Sequence, residues 1–166
     1  MFKKNFLNSI YTISLGAISS YSLPPYNYFI INFITFSLFF ILIFNKRKKI
    51  SNNKSFFKHG WCFGFGYFLF SLYWIVISLT FDQSFKFLIP IAIILLPAFL
   101  AIFYGLITYL FSVFYSKNIV SSFLIFSILF GTIEFVRGSI LTGFPWNLIS
   151  FSFSSSIYFI QILSII

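Results

Sequence analysis

The sequence predicts an all-α integral membrane protein, a multi-span bundle of five complete transmembrane helices and part of a sixth. Three observations predict it. Of 166 residues, 60% are hydrophobic and only 8% charged, far more apolar surface than a soluble domain of this size can hide. The apolar residues run in stretches near the roughly 20 residues that cross a bilayer. The basic residues collect between those stretches, as in membrane proteins whose cytoplasmic loops carry the excess Lys and Arg.

The elements follow in order. Lys3 and Lys4 precede an apolar run over residues 6–21. That pattern also fits a secretory signal sequence with Ala17-Ile18-Ser19 as a cleavage site, but the following segments are equally hydrophobic, so a retained first span is expected. Leu23-Pro24-Pro25-Tyr26-Asn27 reads as a turn, because paired prolines cannot continue a helix. Residues 28–44 form a second span. Residues 45–58 turn polar and carry Lys46, Arg47, Lys48, Lys49, Lys54 and Lys58, a loop lying against anionic headgroups rather than a nucleic-acid surface. Residues 60–81 make a third span, and Gly60 and Gly64 have the GxxxG spacing that lets transmembrane helices approach closely. Asp82 and Lys86 lie in a short outer turn. Residues 87–115 form a long fourth span with Pro90 and Pro97, and residues 119–135 a fifth.

Charge sets the orientation. With a cytoplasmic N-terminus, nine of the eleven Lys and Arg residues lie inside, leaving Lys86 and Arg137 outside. After Trp146 the pattern weakens. Residues 150–166 carry five serines before Tyr158, and the strongly apolar part, 157–166, covers about half a bilayer. The chain is therefore expected to stop inside its sixth span.

Chemistry is scarce. One His, one Cys and two acidic residues cannot assemble a metal site, and no cofactor is implied. His59 and Cys62 could share a helix face, yet nothing orients the imidazole, so a packed thiol and an interfacial histidine are expected. Trp61 and Trp74 read as interfacial or packing residues. The exception is Glu134-Phe135-Val136-Arg137-Gly138-Ser139-Ile140-Leu141-Thr142-Gly143-Phe144-Pro145-Trp146. Charged residues beside hydrocarbon-length segments are costly and mark function by default. Glu134 and Arg137, at i and i+3, share a helix face and can neutralise each other. Gly138 and Gly143 loosen the backbone and Pro145 denies it a helical hydrogen bond. The expectation is a helix end breaking into a loop at the outer surface, with Trp146 at headgroup level. Two roles stay open for the pair: a structural anchor for the loop, or Arg137 holding a lipid phosphate while Glu134 orients it.

These residues resemble the membrane domain of apolipoprotein N-acyltransferase. The string E-F-x-R-G followed by T-G-F-P-W carries the resemblance. Gly60-Trp61-Cys62-Phe63-Gly64-Phe65-Gly66 with the later Trp74 and Ser78, the Leu23-Pro24-Pro25-Tyr26 turn and Gln161 agree with it in order and spacing. Val76 stands where the family usually has an aromatic, and Ser150-Phe151-Ser152 replaces its usual Gly-Tyr-Ser. The resemblance implies a bacterial inner-membrane enzyme that moves an acyl chain from a phospholipid to the N-terminal cysteine amine of a diacylated lipoprotein. Its glutamate, lysine and cysteine triad belongs to a periplasmic nitrilase-like domain inserted before the last span and absent from this sequence. Cys62 lies in the third span on the wrong side to replace it.

The chain is thus expected to be a truncated or split enzyme, without catalytic residues and inactive alone, its missing domain supplied by a separately encoded partner if at all. Glu134, Arg137, Gly143, Phe144, Pro145, Trp146 and Trp74 are expected to shape a lipid cleft near the headgroups. The alternative is a relic or a non-enzymatic module that binds lipid or another subunit. A transporter or channel ranks last, because only Glu134 and Arg137 offer intramembrane charge.

Overall fold

The computed structural model describes residues 2–49, 52–81, 83–140, 147–155 and 161. Up to residue 155 the described residues form α1 Phe2–Ser19, α2 Ile30–Arg47, α3 Asn53–Ser71, α4 Ile75–Leu79, α5 Ile89–Phe114 and α6 Ile119–Ile140, with 3₁₀ turns at Ser20–Ser22, Gln83–Leu88 and Ile149–Phe153. The described residues contain no strand. The five long helices alternate in direction, forming a multi-span membrane bundle. The α2–α3 and α5–α6 connections share one end, where Arg47 Nε donates to the Ser112 carbonyl at 2.9 Å and its guanidinium lies over Phe56 and Tyr115. This basic end carries Lys46, Arg47, Lys48, Lys49, Lys54, Lys58 and Lys117.

Among the described residues, three helices are long and apolar enough to cross a membrane: Ile30–Arg47, Lys86–Phe114 and Ile119–Ile140. The other two long helices, α1 and α3, have span length, with 18 and 19 residues, but more polar sequences. Some of their polar groups point inward. Thr12 is buried and donates to the Asn8 and Ser9 carbonyls, and His59 is buried against Lys46. A helix surrounded by protein need not be uniformly apolar.

Helix α3 is the hub, lying between α1 and α5. The GxxxG spacing acts as its pattern implies: a side chain at Gly60 would strike the Tyr104 carbonyl and Thr108, and one at Gly64 would strike Tyr104 and Ala101, all on α5. Gly66 faces the other way, against the Ile13 carbonyl of α1, and Gly16 of α1 meets the Phe63 carbonyl. Thr108 Oγ1 donates across the α3–α5 contact to the Phe56 carbonyl at 2.8 Å. Trp61 is a packing residue, its indole N–H donating to the Ala98 carbonyl at 3.0 Å. On the opposite side of the core, Phe39 stacks on Phe63 at 4.3 Å, and Tyr104 and Phe36 each meet Phe130 edge-on at 5.2 and 5.1 Å.

Several boundaries differ from expectation. The third helix starts at Asn53 rather than Gly60, because Asn52 caps it by accepting from the Lys54 N–H at 3.1 Å. Residues 53–58 of the expected basic loop are thereby helical. The same helix stops at Ser71 and resumes as the short α4, so residues 60–81 are not one continuous span. Helix α6, capped by Asn118 at its start, continues through Gly138 to Ile140, so Gly138 does not break it. Residues 149–153 are a 3₁₀ turn rather than the start of a sixth span; residues 156–160 and 162–166 lie outside the described residues.

Candidate functional site

Helix α6 carries Glu134 and Arg137 to the end of the bundle opposite the basic one. Their i, i+3 spacing brings Arg137 Nε and one terminal nitrogen to Glu134 Oε1, at 3.2 and 2.8 Å. Arg137 is fully buried, its guanidinium over the Phe68 ring at 5.0 Å, so a cation–π contact adds to the ion pair. Glu134 is 13% exposed. Its second oxygen, Oε2, accepts from the Ile149 N–H at 2.9 Å. One carboxylate thus neutralises a buried cation and fixes the chain after α6.

A second set of bonds ties that same chain to α3. Asn147 Nδ2 donates to the Ser71 carbonyl at 2.7 Å, and the Tyr67 hydroxyl donates to the Asn147 carbonyl at 3.0 Å. Asn147 has φ 45°, the left-handed region that asparagine enters more readily than most residues. The Ser71 carbonyl is at the very C-terminus of α3, where helix carbonyls lack an internal partner. Near Glu134 the Tyr104 hydroxyl is fully buried.

Beside this polar cluster a cleft of about 760 Å³ opens between α2, α6 and the Ile149–Phe153 turn. Its walls are mainly aromatic, with Phe33 and Phe36 from α2 and Phe123, Phe126, Phe130 and Phe135 from α6. Glu134 is the charged residue of its lining, and Arg137 stands behind it, outside that lining. The geometry therefore makes Arg137 a buried partner and Glu134 the group at the cleft wall.

The two charged residues of the expected site are thus brought together. Trp74 lines a different, smaller pocket of about 240 Å³, with Pro24, Pro25 and Ser71. Gly143, Phe144, Pro145 and Trp146 lie outside the described residues. Sequence reasoning missed Tyr67, Ser71 and Asn147. Asn147 directly follows the motif tryptophan, and that adjacency was the available clue. Cys62 is buried near Ser9 and Thr12, toward the basic end and away from Glu134. Among the described residues no group of three His, Cys, Asp or Glu could hold a metal.

Residues 15–166 match the family model described as apolipoprotein N-acyltransferase N-terminal domain. Curated relatives named apolipoprotein N-acyltransferase agree. One from Rhizobium leguminosarum bv. trifolii is 38% identical over 152 residues, covering 88% of this chain and 28% of the relative. One from Brucella melitensis is 34% identical over 148 residues, with 82% and 27% covered. One from Rhodopseudomonas palustris is 33% identical over 163 residues, with 95% and 30% covered. The chain spans less than a third of the length of these relatives.

Proposed function

Because the chain belongs to the apolipoprotein N-acyltransferase family, we propose that it serves as the membrane domain of such an enzyme, holding lipid substrates for lipoprotein N-acylation. The observation that carries this reading is the wide cleft, walled by aromatic rings and lined by Glu134. A phospholipid acyl donor and a diacylated lipoprotein are both bilayer residents. A domain that receives them laterally lowers the entropic cost of bringing their headgroups to a nucleophile. Cys62 lies toward the other end of the bundle, so the thiol of the reaction is sought outside residues 1–166, in the nitrilase-like domain the family resemblance implies. The role left to these residues is positioning.

In this reading the protein lies in a bacterial inner membrane with its N-terminus and basic end cytoplasmic, following the distribution of Lys and Arg. Glu134, Arg137 and the residues of the Gly143, Phe144, Pro145 and Trp146 loop then face the periplasmic side. Arg137, buried behind Glu134, acts by holding the carboxylate rather than by touching a lipid phosphate. Trp74 and the proline turn flank the same surface.

The test is a chimaera in which this chain replaces the matching membrane region of a full-length relative, in cells depleted of their own enzyme. Mass spectrometry of a lipoprotein N-terminal peptide should show the third acyl chain restored. A chimaera that accumulates in the membrane at the parent's level while lipoproteins stay diacylated overturns the reading.

A further inference from the structure

At the basic end of the bundle, opposite Glu134 and apart from the reading above, we propose a phosphate-binding site formed by His59, Lys46 and Lys58. The key group is the imidazole. His59 is the single histidine of the chain and is only 3% exposed. Its Nε2 meets the Lys46 ammonium. An ammonium has donors only, so Nε2 accepts and the ring proton lies on Nδ1. That Nδ1–H is buried and finds no acceptor among the described residues. A buried donor without a partner is costly. The partner that relieves the cost must bring an acceptor oxygen.

The surroundings select the charge of that partner. Lys58 adjoins His59 in sequence and acts electrostatically on both His59 and Lys46. No acidic residue occurs within residues 1–71, so α1, α2 and α3 offer these cations no carboxylate. Arg47 is engaged elsewhere, with the Ser112 carbonyl and over Phe56 and Tyr115, and Lys48 lies over Phe44. Cys62, one turn beyond His59, does not make this a metal site: its thiol is beside Ser9 and Thr12, and the two lysines near it would repel a cation. Two ammonium groups and one imidazole N–H instead suit an anion held by charge-assisted hydrogen bonds. Depth favours a lipid phosphate. Lys46 lies about 24 Å along α2 from Ile30 at 1.5 Å per residue, near the edge of a hydrocarbon core roughly 30 Å thick. Lysine heads at that level extend to the headgroups. The general attraction of basic loops to anionic headgroups needs no particular side chain, whereas this site depends on one ring nitrogen.

The experiment uses the full chain with nitrogen-15-labelled histidine in dodecyl maltoside, a detergent that brings no phosphate. One histidine gives one imidazole to read by NMR. The spectrum should show the proton on Nδ1, and dioleoyl phosphatidylglycerol should shift that nitrogen with saturation near one lipid per chain. Dioleoylglycerol, which lacks the phosphate, should leave it unmoved. A ring protonated at Nε2, a shift that never saturates, or an equal shift with dioleoylglycerol overturns the proposal. Lys58→Gln should weaken binding about three- to tenfold, while Lys54→Gln, an exposed lysine one turn earlier, should change it less than about twofold. Equal losses at both positions overturn it, since a diffuse positive surface then accounts for the binding. Native mass spectrometry counts bound lipid in variants without the ring. His59→Leu should lose about tenfold in affinity, and His59→Asn, whose amide stands near the Nδ1 position, should retain most of it. Undiminished binding by a folded His59→Leu chain overturns the proposal; if that variant does not fold, the ring proton and the lysine contrast decide. Inorganic phosphate separates the sources. Saturable shifting of Nδ1 by phosphate, with displacement of the lipid, supports the site with a soluble phosphate as its ligand. Lipid binding that phosphate does not disturb supports it with a headgroup phosphate. If neither moves Nδ1, there is no site.

Discussion

The two sides of the bundle are built from equally apolar sequence and end up unlike. On the α1–α3–α5 side, Gly16, Gly60, Gly64 and Gly66 bring helix backbones into direct contact. On the α2–α6 side, Phe36, Phe126 and Phe130 hold the helices apart and leave a cleft. Lipid tails are as apolar as a protein core, so apolarity alone cannot decide which helices close up in a membrane. Side-chain size does. Small residues make the closed half, and rings make the half that can admit something else.

The largest expected effect comes from removing the ionic link at the far end of the open half. Arg137→Leu leaves Glu134 with a carboxylate in a largely buried place, and Glu134→Ala leaves a fully buried guanidinium. Each should cost about 3–5 kcal/mol, read as loss of folded protein in a detergent thermal-stability assay. The double variant Glu134→Ala/Arg137→Leu should lose less than the sum of its parts. Additive losses would mean that the pair is not a coupled unit, and the distinction between a buried partner and a cleft-wall carboxylate would fall.

Next comes a direct contrast of glycines. Gly60→Leu drives a side chain into the Tyr104 carbonyl and Thr108 on α5, an overpacking expected to cost about 1–3 kcal/mol or more. The same change at Gly131 meets open space and replaces a poor helix former with a good one, so stability should hold or rise slightly. Equal destabilisation at both positions, measured under identical detergent conditions, would show that the α2–α6 cleft is closed.

How much of this was legible beforehand follows from where each feature is encoded. Gly60 and Gly64 announce themselves by spacing within one helix. Gly16 and Gly66 do not, because their contact pairs two helices 50 residues apart in sequence. The Glu134–Arg137 pair was readable from i, i+3 geometry. The start of α3 was not, since a Lys- and Asn-rich stretch reads as loop until Asn52 is seen to cap it. Its end at Ser71 carries neither glycine nor proline, so no local breaker betrayed it. That break turns Trp74 away toward the proline turn. The cleft was invisible for a different reason: it arises from the separation of α2 and α6, which no single segment records.

The smallest effect concerns the stitch between the two halves. Asn147 joins the chain after α6 to the end of α3 through the Ser71 carbonyl and the Tyr67 hydroxyl. Tyr67→Phe removes one bond and should cost about 0.5–1.5 kcal/mol. Asn147→Gly keeps a backbone that tolerates φ 45° but drops the side-chain bond, and should cost a similar amount. Asn147→Ala loses that bond and also strains the left-handed conformation, adding about 1 kcal/mol. The order alanine, then glycine and phenylalanine together, separates backbone strain from hydrogen bonding. Hydrogen exchange at the Ile149 amide reports the same stitch locally, because that N–H is held by Glu134 only while the segment stays docked. If all three variants leave Ile149 as protected as in the parent, Glu134 alone holds the segment. The open half of the bundle would then be independent of α3, and the cleft could widen without disturbing the glycine-packed core.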